Sequence, residues 1–273
     1  MYRIERQAKI LQMIKDRNFI ETSLLADLFK VSLITIRRDL KKLDKQGLVT
    51  LERGGVSVVD YLDSKVEPLY ETKAYINIEK KKAIAEKAVE LIKDSDTVIL
   101  DSGTTNYYIA CQLKKINMKN ITVFTTDIMI ATVLCTALHI KVFVLGGLLR
   151  PLFYNVYGLF TEERLKKLKV NKVFLGVDAV SAKRCISNLQ FEEIVVKEKM
   201  IEISDKVIMV ADSSKFGIDA PYKVCNWTDI DAVITDDKIP RDYIEIFESN
   251  GIQTYIVTPR QKLSKNKDNE KVF

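Results

Sequence analysis

Apolar residues recur at helical spacing three times within the first 45 positions. Ala8, Leu11 and Ile14 do so between Ile4 and Arg17, and Leu24, Leu25 and Leu28 between Thr22 and Phe29. In the third run, Ile36, Leu40 and Leu43 fall on one side of a helix, while Thr35, Arg38, Lys41, Lys42 and Lys45 fall roughly opposite. Ser32 stands where an N-cap is expected, Lys30-Val31 leaves only a tight connection before it, and Gln46-Gly47 ends the third helix. Two closely joined helices, the second with a basic face, predict a helix-turn-helix at about Ile20 to Asp39, whose second helix enters a major groove. Leu48 to Leu51 and Ser57 to Val59, around Gly54-Gly55, read as two strands of a wing that sets Arg53 against phosphate or the minor groove.

The pattern then changes. Val56 to Tyr75 loses periodicity and contains Pro68, so 59–75 is expected to link a head, 1–58, to a body, 76–258. In the body, short β-branched runs alternate with helical stretches. Strands are expected at Thr97 to Leu100, Ile121 to Thr125, Lys141 to Leu145, Lys172 to Gly176, Lys206 to Ala211, Ala232 to Thr235 and Gln253 to Val257. Helices are expected at Glu79 to Lys93, Thr104 to Leu113, Asp127 to Leu138, Thr161 to Leu168, Gln190 to Ser204 and Pro240 to Asn250. This alternation predicts an α/β fold: a winged helix-turn-helix joined to a larger, mostly parallel, doubly wound sheet with helices on both faces.

Ligands of such sheets bind beyond the carboxyl ends of the strands, so the segments that follow strands carry the candidate chemistry. Asp101-Ser102-Gly103-Thr104-Thr105 is a glycine turn opening a helix, where free N–H groups and the helix dipole suit a phosphate. Asp127 either caps the next helix or accepts bonds from a ligand hydroxyl. Gly146-Gly147 lets backbone approach closely and Arg150 adds a cation, while Asp212 to Gly217 forms a further turn carrying Lys215. Hydroxyls, carboxylates and cations along one sheet edge point to a polyhydroxylated, phosphorylated small molecule.

Charge supports this division. Residues 1–60 hold 12 basic and 8 acidic side chains, and 260–273 hold 5 and 2, out of a net charge of +6. The central body is therefore close to neutral, and the positive charge lies where nucleic acid would be met. The polar tail, 259–273, reads as disordered. Without an apolar run long enough to span a bilayer or a leader-like start, a cytoplasmic location is expected. Cys111, Cys135, Cys185 and Cys225 lack metal-ligand spacing and read as buried apolar residues. With one histidine, His139, no Ser-His-Asp triad or histidine-rich metal site can be assembled, so no cofactor and no metal are expected.

Ile4 to Val56 resembles the N-terminal domain of the DeoR family of bacterial transcription repressors. The family signature Val-Ser-x-x-Thr-Ile-Arg-Arg-Asp-Leu stands here at Val31 to Leu40, with Gly47-Leu48 and Gly54-Gly55 in their places. Arg53 replaces the histidine often found before the paired glycines. Tyr75 to Asp236 resembles the sensor domain of the same family, which is related to sugar-phosphate isomerases and coenzyme A transferases and binds phosphorylated sugars or related metabolites. The matching elements are Asp101 to Thr105, Gly146-Gly147 with Arg150, Gly176-Val177-Asp178, Glu192-Glu193 with Val196-Lys197, and Asp212 to Gly217. The resemblance implies that Gly103, Thr104 and Thr105 hold phosphate, that Asp101, Asp127 and Asp178 read hydroxyls, and that Arg150, Lys197 and Lys215 supply positive charge. Lys197 on its own also fits an ordinary i,i+4 surface pair. The chain departs from the family at Thr126, often Asn, and at Ala179 to Asn188, where many members have a glycine-rich loop expected to help choose the sugar.

Together these readings describe a ligand-responsive repressor of carbohydrate genes, assembled as a homo-oligomer on double-stranded operator DNA. Arg37, Arg38 and Lys41 would contact phosphates or bases with Lys42 beside them, and Ser32 and Thr35 would lie near the helix start. Two alternatives remain: a sugar-phosphate isomerase with a DNA-binding head, using Asp101 or Asp127 as base and Lys197 as electrophile, and a constitutive DNA-binding protein without effector.

Overall fold

The computed structural model describes residues 1–59 and 67–260. They form two compact units that divide between Ile76 and Asn77.

In the first unit, α1 (Arg3–Arg17) leads into a short strand β1 (Phe19–Glu21), then α2 (Thr22–Phe29) and α3 (Leu33–Lys45). Strands β2 (Val49–Glu52) and β3 (Gly55–Val58) form the wing, an antiparallel sheet in the order β1-β3-β2. Ile10, Leu11 and Ile14 of α1 meet Leu25 of α2 and Ile36, Leu40 and Leu43 of α3 in one core. The expected face of α2 is only partly buried: Leu25 and Ala26 are inside, but Leu24 and Leu28 are exposed, because a two-turn helix wedged between neighbours covers one edge only. β1 has no sequence signature, being too short to alternate. It pairs with β3 because position 55 has no side chain: a Cβ there would lie 2.3 Å from the Phe19 ring and 2.7 Å from the Ile20 carbonyl oxygen. The neighbouring Gly54 turns the hairpin at φ +84°.

The expected linker is in part structured. Helix α4 (Tyr70–Tyr75) buries Tyr70, Thr72 and Ala74 and packs on α1, and Lys73 pairs with Glu67 at 2.7 Å. Six residues are too few for a helical period to show in the sequence. Residues 60–66 of that linker, and 261–273 of the expected tail, lie outside the described residues.

The second unit begins with α5 (Ile78–Glu90), β4 (Thr97–Leu100), α6 (Thr104–Leu113), β5 (Ile121–Thr125), α7 (Ile128–Leu134) and β6 (Ile140–Val144). A small hairpin, β7 (Leu148–Leu149) and β8 (Val156–Tyr157), precedes α8 (Leu159–Leu165) and β9 (Val170–Gly176). There follow β10 (Ala179–Ser181), β11 (Cys185–Asn188), α9 (Ile194–Glu202), β12 (Ser204–Val210), β13 (Tyr222–Cys225), β14 (Ala232–Asp236), α10 (Arg241–Ser249) and β15 (Gln253–Val257). Seven strands make one parallel sheet in the order β15-β14-β12-β9-β4-β5-β6. Strand order runs outward from β4 in one direction, through β5 and β6, and returns to its other side at β9. The carboxyl ends of β4 and β9 are thus the topological switch point where such folds bind ligands.

Two local expectations change here. The segment Ala179 to Asn188 is a β-hairpin, β10 and β11, extended by β13 into an antiparallel flap. Of the four cysteines only Cys225 is buried: Cys111 and Cys185 are partly accessible, and Cys135 is exposed where α7 ends. Burial pushes the Cys225 thiol up to about 12. Among the described residues, no helix is long and apolar enough to cross a membrane.

Candidate functional site

In the head, Ser32 caps α3, its Oγ accepting the Thr35 N–H at 3.2 Å and lying 3.0 Å from Thr35 Oγ1. Arg37, Arg38, Lys41 and Lys42 are exposed, as is Arg53 at the wing turn, and among the described residues none of the five has an ion-pair partner. The reverse side of α3 is anchored not only by aliphatic packing. Asp39 is 1% exposed and accepts from Arg6 Nε at 2.6 Å and Gln7 Nε2 at 2.8 Å, which fixes α3 on α1. The result is a helix with one neutralised inner face and one bare cationic outer face.

The outer face also holds a residue that sequence reasoning passed over. Ile34 is 70% exposed and stands four residues before Arg38 and seven before Lys41. The helical spacing that groups Arg38 with Lys41 also places Ile34 beside them.

In the second unit, the switch point gathers buried charge. Asp101, 1% exposed at the end of β4, accepts the Gly176 N–H at 3.0 Å and pairs with Lys197 of α9, which also donates to the Gly176 carbonyl at 2.8 Å. Burial opposes the Lys197 charge, yet Asp101, Glu193 and Asp178 outweigh it and raise the ammonium above its ordinary range. Lys197 is therefore an internal counter-ion joining β4, β9 and α9, not a surface pair.

Around this pair lie further polar groups. Glu193 accepts from Arg150 at 3.2 Å, Asn155 at 2.7 Å and Asn188 at 2.9 Å. Asp178 accepts the Leu189 N–H at 3.1 Å. Asp127 caps α7 through the Met129 and Ile130 N–H groups and also accepts the Gly103 N–H at 3.0 Å, so one carboxylate closes the first open donor of the Gly103-Thr104-Thr105 turn. Thr104 is buried and Thr105 half-buried beside it. Gly147 serves packing: a Cβ would lie 2.3 Å from Thr161 Oγ1 and 2.4 Å from the Tyr157 carbonyl oxygen.

Lys215 belongs to another cluster, beyond β12 and β14. There Asn77 donates to Asp212 at 2.8 Å, and Lys80 reaches Ser213 at 2.6 Å and Asp236 at 3.1 Å. Burial disfavours the Asp212 anion, but Lys81 and Lys215, with hydrogen bonds from Ser214, hold its carboxyl below the usual range. Of the predicted effector residues, Asp101, Asp178, Arg150 and Lys197 thus meet in one electrostatic group, Gly103 and Asp127 are bonded to each other, and Lys215 sits with Asp212. Glu193, Asn155 and Asn188 were missed as site residues. Glu193 lies inside a motif that the sequence does display, whereas Asn155 and Asn188 meet it only through the fold.

A capped helix with a bare basic face, a wing and a separate α/β unit with a polar switch point are the parts of a DNA-binding transcriptional regulator. The description of the DeoR-like helix-turn-helix domain matches residues 6–61, and that of the DeoR C terminal sensor domain matches residues 76–237. The chain belongs to the DeoR family. It is 34% identical over 256 residues to the HTH-type transcriptional repressor GlcR of Bacillus subtilis strain 168, covering 94% of this chain and 97% of that one. It is 28% identical over 253 residues to the glycerol-3-phosphate regulon repressor of Escherichia coli strain K12, covering 93% and 98%. Among solved structures, ribose 5 phosphate isomerase A from Neisseria gonorrhoeae is similar at 21% identity and a TM-score of 0.38, covering 55% of this chain and 56% of that one.

Proposed function

We propose that this chain represses genes of carbohydrate metabolism, and that a phosphorylated sugar or related metabolite, held at the carboxyl edge of the seven-stranded sheet, modulates its grip on operator DNA. The observation that carries the reading is the set of cations on α3 and the wing, exposed and without ion-pair partners among the described residues. Arg37, Arg38, Lys41 and Lys42 meet phosphates or base edges, and Arg53 meets the backbone or minor groove. Relatives named as repressors, one of a glycerol-3-phosphate regulon, support the effector class.

In the sensor, Thr104 and Thr105 at the start of α6 receive the phosphate, and Asp101, Asp127 and Asp178 read hydroxyls. Arg150 is engaged by Glu193, so an arriving phosphate competes with that carboxylate for it. The effector must bind the two functional states of the regulator with different affinity, or it shifts nothing.

The regulator acts in the cytoplasm, on the chromosome, as a homo-oligomer whose heads occupy operator half-sites. Phe143, Val144, Leu148, Leu149, Leu159 and Phe160, 44–79% exposed on and after the edge strand β6, support self-association. Sedimentation of Phe160→Glu beside the parent tests this: the parent should sediment as an oligomer and the variant as a smaller species.

The function itself is tested by thermal shift and operator retention with a panel of pentose, hexose and triose phosphates. At least one should raise the melting temperature of the sensor unit and change operator affinity. If none does either, the effector reading is wrong and the chain is a constitutive DNA binder.

A further inference from the structure

We propose that Ile34 reads operator sequence by seating its side chain against the C5-methyl group of thymine in the major groove. The inference rests on the reading of α3 as the recognition helix and adds a residue that carries no charge.

Three observations lead to it. First, Ile34 is 70% exposed although its helix has a fully occupied apolar face in Ile36, Leu40 and Leu43. A branched aliphatic chain left that open is stabilised by any partner that removes it from water. Second, its direction is set: at about 100° per residue, Ile34, Arg38, Lys41 and Lys45 lie within roughly 60° of one another, centred opposite the buried side chains. A duplex that meets Arg38 and Lys41 also meets Ile34, and Ile34 stands in the first turn, the part of a recognition helix that reaches base edges. Third, the hydroxyls beside it are partly committed to capping the helix. Ser32 Oγ accepts the Thr35 N–H at 3.2 Å and lies 3.0 Å from Thr35 Oγ1. Of the aliphatic side chains in the first turn, Leu33, Ile34 and Ile36, Ile34 is the most exposed, and the apolar feature that distinguishes bases in the major groove is the thymine methyl.

The test uses the full chain. Binding sites are selected from random duplexes with the parent, and enriched thymines are replaced one at a time by deoxyuridine, which removes the methyl and leaves the pairing intact. At one thymine per half-site, the replacement should weaken the parent by about fourfold, the effect of losing one buried methyl group. Ile34→Ala should bind thymine and deoxyuridine duplexes alike, with the parent's salt dependence and melting temperature. Indifference of the parent to every such replacement overturns the proposal, and so does an Ile34→Ala protein that still discriminates. A parent that enriches no sequence at all overturns the operator reading and this inference with it, a failure recognisable because it precedes any methyl comparison.

Discussion

The head and the sensor both gather cations, and they treat them in opposite ways. On α3 and the wing, Arg37, Arg38, Lys41, Lys42 and Arg53 stand in solvent without ion-pair partners among the described residues. At the switch point of the sheet, Lys197 is 3% exposed and matched to Asp101, and Arg150 to Glu193. A surface that binds a polyanion gains by exchanging loosely held counterions for phosphates, so its charges are best left bare. A buried site cannot leave a charge bare, because desolvation without a partner costs several kcal/mol. The head supplies its own control: a charged pair on the inner side of α3, Asp39 with Arg6, is buried and matched as in the sensor.

Removing a buried counter-charge should disturb this contrast most. Lys197→Met leaves Asp101 enclosed and unpaired, and should lower the stability of the sensor unit in urea by about 3–5 kcal/mol. The double change Lys197→Met with Asp101→Asn should recover most of it, and no recovery would mean that the lysine acts by something other than pairing. Asp39→Ala should cost the head about 3 kcal/mol by the same mechanism, followed by the helical signal on melting.

Bare charges should behave otherwise. Arg38→Ala and Lys41→Ala should leave the melting temperature unchanged, while the slope of log affinity against log salt falls by about one for each phosphate that is no longer neutralised. Arg150→Ala should leave that slope untouched; a change there would erase the division between the two regions. A smaller effect belongs to the cap of α3: Ser32→Ala should cost about 1 kcal/mol of head stability.

The smallest effect is one of acid. The folded-state carboxyl of Asp212 lies below its unfolded value, so its contribution to stability is fully present above about pH 4 and is lost as pH falls through the folded value. Asp212→Asn should therefore lower the sensor's melting temperature at neutral pH and narrow the gap to the parent as the solution is acidified below about pH 4. A gap that stays constant would remove Asp212 from the acid response.

How much of this was legible in the chain depends on the distance over which each feature is encoded. Apart from Ile34 and the buried Asp39, α3 could be read from the chain because cap, apolar face and basic face lie within about fifteen residues and repeat at the helical period. The strands of the parallel sheet were legible for a related reason: most of them are flanked on both faces, so each is a short apolar run. β1, α4, and the flap of β10, β11 and β13 were not, since three to six residues carry no period and their stability comes from partners far along the chain.

Local neighbours were written into the chain: a bare basic helix in the head, and turns of carboxylates, hydroxyls and cations after the strands. Which of those charges are already matched was a matter for the folded molecule. Lys197 meets Asp101 across 96 positions, and Glu193 gathers Arg150 and Asn155 across 43 and 38. Pairing depends on separation in space within a low-dielectric interior, whereas periodicity along a chain records which face a residue occupies but not which distant residue will be brought against it.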